Sequence, residues 1–216
     1  AMVIIEIIGL KNLLLLGCLA LIGMALKSSF LKGFLGEFLV KLLLHSKLSD
    51  TSHILHDVTL PAGEGTTQID HIVVSPNGVF VIETKNFKGW IFGGEKQRTW
   101  VQKIYKNNYR FQNPIHQNYK HIRVLADLLS LPVDDFLSVV VFVGGGTFKT
   151  RMPTNVLKLG GLVKYIQTHK SRAFSKEEMA VLVADIKENS LKPSMATKRK
   201  HAAYLKAKKR SRNIRH

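Results

Sequence analysis

The sequence predicts an α/β sandwich, built in the order helix, strands, helix, strand, helices, with no internal repeat. Three observations carry this reading. Residues 79–82 are apolar at every position and residues 136–143 at all but Ser138, the pattern of strands buried on both faces. Residues 68–75 and 79–85 flank Pro76-Asn77-Gly78, and strands joined through Asn-Gly are a strong hairpin signal. Residues 28–44, 115–129 and 175–189 repeat apolar side chains at helical spacing.

Taken in order, residues 2–26 are strongly apolar, interrupted by Glu6 and Lys11. The uninterrupted part, 13–26, is shorter than the ~20 residues that cross a bilayer, but the whole run reaches that length, with its charges near one end where they can snorkel. It reads as a membrane anchor in preference to a cleaved signal peptide or a soluble helix. Lys27, Lys32 and Lys41 follow it, which by the positive-inside tendency keeps the rest on the cytoplasmic face. Residues 28–44 form a helix with a broad apolar face on which Glu37 is the one acid. A strand over 53–60 ends at Pro61, and the loop AGEGTT leads to the hairpin. Residues 87–104 give one or two short strands broken at Gly93-Gly94. Asn113-Pro114 opens a helix over 115–129, with Ile115, Tyr119, Ile122, Leu125, Ala126 and Leu129 expected on its buried side. After the strand 136–143, a helix is expected near 161–169, then one over 175–189 with Ser175 as N-cap and Glu178 three residues on. The organisation is an anchor over 2–27, a domain over 28–190 and a basic tail over 191–216.

With 216 residues, 45% of them apolar, the chain can bury a core of ordinary size. Its formal charge of +17 favours a polyanionic partner, nucleic acid or anionic lipid. After Glu188 there is no acid and there are ten Lys and Arg, which leaves +7 for the rest. Within that tail Lys198, Arg199, Lys200, Lys208, Lys209 and Arg210 are the candidate nucleic-acid contacts, of a salt-dependent and sequence-independent kind. The lone Cys18 excludes an intramolecular disulfide and a zinc site built from cysteines.

The chemistry lies at the hairpin. Glu83 and Lys85 are two apart at the end of an apolar strand and so share a face. Asp70 faces Lys85 if the turn is Asn77-Gly78, and Glu83 if Ser75 faces Gly78. In either register the three converge. Two carboxylates with waters are how proteins hold Mg²⁺, with Mn²⁺ as a substitute, and the metal activates water and stabilises phosphoryl charge. A lysine beside them orients the water or stabilises the developing charge. His71, on the opposite face from Asp70, reads as structural or ion-paired; Trp90 and Trp100 read as core or rim packing rather than as base-stacking platforms.

Residues 36–129 resemble the nuclease-related domain (NERD) family, a branch of the restriction-endonuclease-like PD-(D/E)xK superfamily. The matching pieces are Gly36-Glu37, the run TQIDHIVVSPNGVFVIETKNFKG, Trp100, and Asn113-Pro114 with Gln117. The resemblance implies a central mixed sheet flanked by helices, Asp70 and Glu83 as metal ligands, and Lys85 as the catalytic lysine. It further implies that Glu37 is an added acid of the site and that Gln117 stands near it. The expected activity is Mg²⁺-dependent hydrolysis of DNA, with RNA open and with little sequence specificity, tethered to a membrane; a nucleic-acid-binding module without turnover is the alternative.

Overall fold

The computed structural model describes residues 29–191, so the apolar run 2–27 and the tail from residue 192 lie outside the described residues. Helix α1 (Ser29–Leu48) leads into β1 (His53–Ala62), β2 (Gly65–Ser75), β3 (Gly78–Asn86), β4 (Gly89–Phe92), β5 (Thr99–Ile104) and β6 (Asn107–Gln112). Then follow α2 (Pro114–Leu129), β7 (Phe136–Val143), β8 (Gly146–Phe148), β9 (Val156–Lys158), α3 (Leu162–Thr168) and α4 (Lys176–Asn189). The expected α/β layering is present, but with two mixed sheets, ordered β1-β2-β3-β7-β9 and β6-β5-β4-β8. Strand β3 pairs antiparallel with β2 and parallel with β7.

The two-sided burial of β3 has a plain cause. Val79 and Val81 enter the core beneath α2 and α4, with Ile122, Leu125, Met179 and Ile186. Phe80 and Ile82 enter the core beneath α1 and α3, with Val40, Leu44, Leu162 and Ile166. Alternate side chains therefore serve two cores, and no position is left for a polar residue until Glu83. A third cluster joins the sheets: Trp100 is fully buried, stacks on Phe142 at 6.1 Å and donates its indole N–H to the Gly94 carbonyl at 3.0 Å. The C-terminal helix begins as expected, Ser175 Oγ accepting from the Glu178 N–H while Glu178 accepts from the Ser175 N–H.

Several expectations are corrected. Strand β1 continues through Pro61, which pairs with Thr66; β1 is an edge strand, where proline is tolerated. Most of AGEGTT is thus strand rather than loop. The hairpin loop is Pro76-Asn77, with Ser75 opposite Gly78. Ser-Pro-Asn-Gly suits a turn with proline second and glycine fourth, and the Ser75 hydroxyl ties it by accepting the Asn77 N–H and donating to the Gly78 carbonyl. Strands β6, β8 and β9 were not expected. On α2 the buried side chains are Pro114, Asn118, His121, Ile122, Leu125 and Ala126, and Tyr119 is exposed. Helix α1 leaves Phe34, Leu35, Phe38, Leu39 and Leu42 exposed along one side. Among the described residues no helix is long and apolar enough to cross a membrane.

Candidate active site

Strand β2 comes loose on both sides at Asp70. The β1–β2 ladder skips the Asp57–Asp70 pair, where Asp57 has φ of 52°, and the β2–β3 ladder stops at His71–Ile82. Extended by one step, the register would set Asp70 against Glu83, but there the strands part. The Asp70 carboxylate instead accepts the Thr84 backbone N–H at 2.8 Å, a donor the ladder would otherwise have used. A side chain thus replaces a backbone partner, and the carboxylate is held beside β3.

Across β3 stands α2. Asn118, fully buried, donates its amide to the Val81 carbonyl at 2.8 Å, the Ser138 hydroxyl at 2.9 Å and the Val139 carbonyl at 3.3 Å. This fixes the helix over β3 and β7. Gln117 and His121, four apart on α2, then meet Lys85 and Glu83, two apart on β3. The spacing matches, since four helical residues rise about 6 Å and two strand residues about 6.6 Å. Lys85 Nζ donates to Glu83 Oε1 and, at 3.2 Å, to Gln117 Oε1. His121 Nε2 lies 3.3 Å from Glu83 Oε2, and its Nδ1 is 2.6 Å from the Thr67 hydroxyl. That contact with Glu83 is an ion-pair distance without hydrogen-bond alignment, so Glu83 Oε2 is buried with no hydrogen bond. Sequence reasoning missed His121; its place four residues after Gln117 was the available signal.

Glu37 reaches the site through Gly36. Gly36 is buried, and a Cβ there would lie 2.8 Å from the Asn86 Cβ, so α1 can approach the end of β3 only with glycine. Asn86 closes the contact by donating to the Lys32 carbonyl at 2.7 Å. Glu37, the next residue, is near enough for its charge to act on Asp70 and Lys85.

The charges are unevenly satisfied. Burial and the Glu83 charge raise Asp70 well above the usual carboxylate range; the Thr84 N–H opposes this and Glu37 adds to it. For Glu83 burial acts upward too, but Lys85 and His121 outweigh it and the carboxyl is lowered. Burial alone would lower Lys85, yet Glu83, Asp70 and Glu37 hold it above its ordinary value. Lys85 is therefore a fixed cation, suited to orienting water or countering charge and not to abstracting a proton.

These residues fit a divalent cation on two counts. Glu83 Oε2 is a buried oxygen without a hydrogen bond, and Asp70 is a carboxylate whose charge burial and two neighbouring acids all oppose. A cation would engage the first and reverse the second. Among the described residues no three His, Cys, Asp or Glu side chains stand at metal-binding spacing, so a cation held by Asp70 and Glu83 would take its remaining ligands from water or substrate oxygens.

The nuclease-related domain matches residues 32–143, which spans α1 through β7 and every side chain of the cluster. The chain belongs to the NERD family. The PD-(D/E)xK fold is the general kind to which NERD domains conform. Over 100 residues the chain is 54% identical to an uncharacterized protein of Bacillus anthracis, covering 45% of this chain and 47% of that protein. The chain thus spans about half the length of that curated relative. No solved structure gives a significant match.

The remaining sequence expectations divide. His71 is buried and faces away from the site, its Nδ1 2.7 Å from His56 Nδ1, and His56 Nε2 is 2.9 Å from His45 Nε2. Of the two tryptophans expected at core or rim, Trp100 is core and Trp90 is exposed at 47%. Lys198, Arg199, Lys200, Lys208, Lys209 and Arg210 lie outside the described residues.

Proposed function

We propose that this NERD domain is a divalent-metal-dependent nuclease that hydrolyses phosphodiester bonds of DNA, with RNA also open as substrate. The single observation that supports the reading is the convergence of Asp70, Glu83 and Lys85, with Gln117 on the lysine, where β2 parts from β3. Asp70 and Glu83 would hold Mg²⁺, or Mn²⁺ in its place, and Glu37 would add negative charge beside them. The bound metal would supply an activated water and a counter-charge for the phosphoryl oxygens. Lys85, fixed as a cation, positions the attacking water and offsets charge on the phosphate, while Gln117 holds the Lys85 ammonium between the two roles. His121 braces the Glu83 carboxylate from the side opposite Lys85.

The basic tail would add sequence-independent affinity through phosphate contacts. A membrane association through residues 2–27 is in keeping with the exposed apolar side of α1, the first described helix after that run in the sequence, and Lys27, Lys32 and Lys41 would set the domain on the cytoplasmic side.

The test uses the full chain with linear and circular DNA in Mg²⁺, Mn²⁺ or EDTA, beside Glu83→Ala and Lys85→Ala. Metal-dependent cutting that both substitutions abolish is the expected result. DNA binding without cutting in any metal would replace the nuclease with a binding module. One observation favours that second reading: Lys85 already pairs with Glu83 Oε1, one of the oxygens a metal would use.

A further inference from the structure

The four-stranded sheet gives no side chain to the carboxylate cluster, yet its outer face has a composition of its own. Cross-strand register sets Trp90, Lys103 and Asn108 in one row and Phe92, Val101 and Arg110 in the next. Both rows point away from the buried Trp100, because residues opposite one another share a face and neighbours along a strand alternate. Trp90 stands open to solvent, with Lys149 Nζ 4.5 Å and Lys103 Nζ 5.7 Å from its ring centre. Beside it is a hollow of about 340 Å³ lined by Lys88, Gly89, Trp90, Lys103, Ile104 and Tyr105. Tyr105, on the β5–β6 turn, is 92% exposed.

The charge around this hollow has one sign. Strands β4, β5, β6 and β8 contain no Asp or Glu, and between Glu83 and Asp127 the chain has one acid, Glu95, against nine Lys and Arg. A half-exposed ring with two mobile ammonium groups over it, backed by a basic sheet, is complementary to a flat aromatic group flanked by phosphates, which can take the ring face while the ammonium groups move to the phosphates. A neutral apolar partner would leave Lys103, Lys149 and Arg110 to be desolvated without compensation. Duplex DNA keeps its bases stacked inside, so a ring that stacks needs an unpaired base. Lys103 and Arg110, diagonal neighbours on β5 and β6, stand about 7–8 Å apart along this face, which places two cations beside consecutive stretches of a backbone. Trp90 follows Lys85 by five residues, at most about 18 Å of chain, so a strand lying here is within reach of the carboxylates.

We propose that the outer face of the β6-β5-β4-β8 sheet binds single-stranded nucleic acid, with Trp90 stacking on an unpaired base and Lys103, Lys149 and Arg110 holding the adjoining phosphates. The proposal rests on the nuclease reading and names the form in which substrate approaches the site.

The test reads binding without cleavage. The full chain in EDTA is titrated with a short thymidine oligonucleotide while tryptophan emission and oligonucleotide anisotropy are followed. Trp100 is buried and Trp90 exposed, so quenching reports on Trp90. The expected result is quenching in the wild type, about tenfold weaker binding by Trp90→Ala, and near-wild-type affinity without that quenching by Trp90→Phe. Lys103→Ser with Lys149→Ser should lower the dependence of affinity on salt. Far-UV circular dichroism of each variant separates misfolding from loss of the contact. Equal oligonucleotide affinity for wild type and Trp90→Ala overturns the proposal. So does a blue shift of Trp90 on phosphatidylglycerol vesicles with no response to oligonucleotide, which would make the face a lipid contact. Cutting that survives while Trp90→Ala binds normally removes this proposal alone; quenching without cutting by any form removes the nuclease and leaves the platform.

Discussion

Two glycines three residues apart on α1 should respond oppositely to the same substitution. An alanine in a helix interior is worth about 1 kcal/mol more than glycine, because glycine loses more backbone freedom on folding. At Gly33 an added Cβ meets nothing within 4 Å, so Gly33→Ala should stabilise by roughly that amount. At Gly36 the same gain is opposed by contact with the Asn86 Cβ at 2.8 Å. That atom is fixed to β3, and its amide is tied to the Lys32 carbonyl, so it cannot swing clear. Such overpacking costs about 1–3 kcal/mol, leaving Gly36→Ala destabilised by up to about 2 kcal/mol. The two variants should therefore differ by about 1–3 kcal/mol in urea denaturation followed by circular dichroism. Gly36→Ala should also lose more cleavage than its stability loss explains, because the helix that carries Glu37 is pushed outward. If both variants gain stability alike and cut alike, α1 does not pack on the end of β3 as described.

Further outcomes follow from the same contacts. Trp100→Ala removes a fully buried ring and should cost about 3–5 kcal/mol in the same urea assay; a loss under 1 kcal/mol would contradict its place between the sheets. His121→Ala should reduce cleavage about 10–100-fold, the range for groups that hold a metal-binding side chain, and should weaken Mg²⁺ binding by calorimetry. Unchanged Mg²⁺ affinity would mean that His121 merely fills space. Burial depresses His71 to about 3, against a partial upward pull from Glu83, and depresses His56 to about 4, aided by His45 and Lys41. The unfolded chain protonates both rings below about pH 6.5 and the fold does not, so stability is complete above that pH and is lost as pH falls toward 4 and 3. For His71 alone the loss by pH 5 is about 2 kcal/mol, and in EDTA a His71→Gln variant should lose correspondingly less between pH 7.5 and pH 5 than the wild type. Equal acid sensitivity of the two proteins would refute it.

Where side chains obey one local rule, the sequence announced the structure. Strands β3 and β7 showed themselves by apolar residues on both faces, and α4 by Ser175 and Glu178 at its start. Acid and lysine at the end of β3 were legible because no buried strand end needs them for packing. Strand β6 was hidden, since NNYRFQ lies at the edge of the outer sheet and all but one of its residues are exposed, leaving no apolar alternation to read. Strands β8 and β9 have three residues each, too few for any period. The hairpin register turned on a contest between Asn-Gly and Ser-Pro-Asn-Gly, and the fixed φ of Pro76 decided it. Tyr119 was misjudged because a large ring counts as core until the position of its neighbours is known. Asn118, not an apolar residue, sets how α2 rolls, and no hydrophobic pattern can reveal that.

The pairing of β3 with β7 also has a consequence for how the chain is made. A ribosome completes Glu37, Asp70, Glu83 and Lys85 some fifty residues before it reaches Val139 and Val140, their neighbouring strand's partners for Ile82 and Glu83. During that interval β3 is a bare edge with apolar residues on both faces, open to joining another nascent chain. The Asn118 amide has no Val139 carbonyl or Ser138 hydroxyl to grip until then. The cluster of Asp70, Glu83 and Lys85 cannot be assembled, and the growing protein is most prone to aggregate, until the valine-rich β7 emerges and closes the sheet.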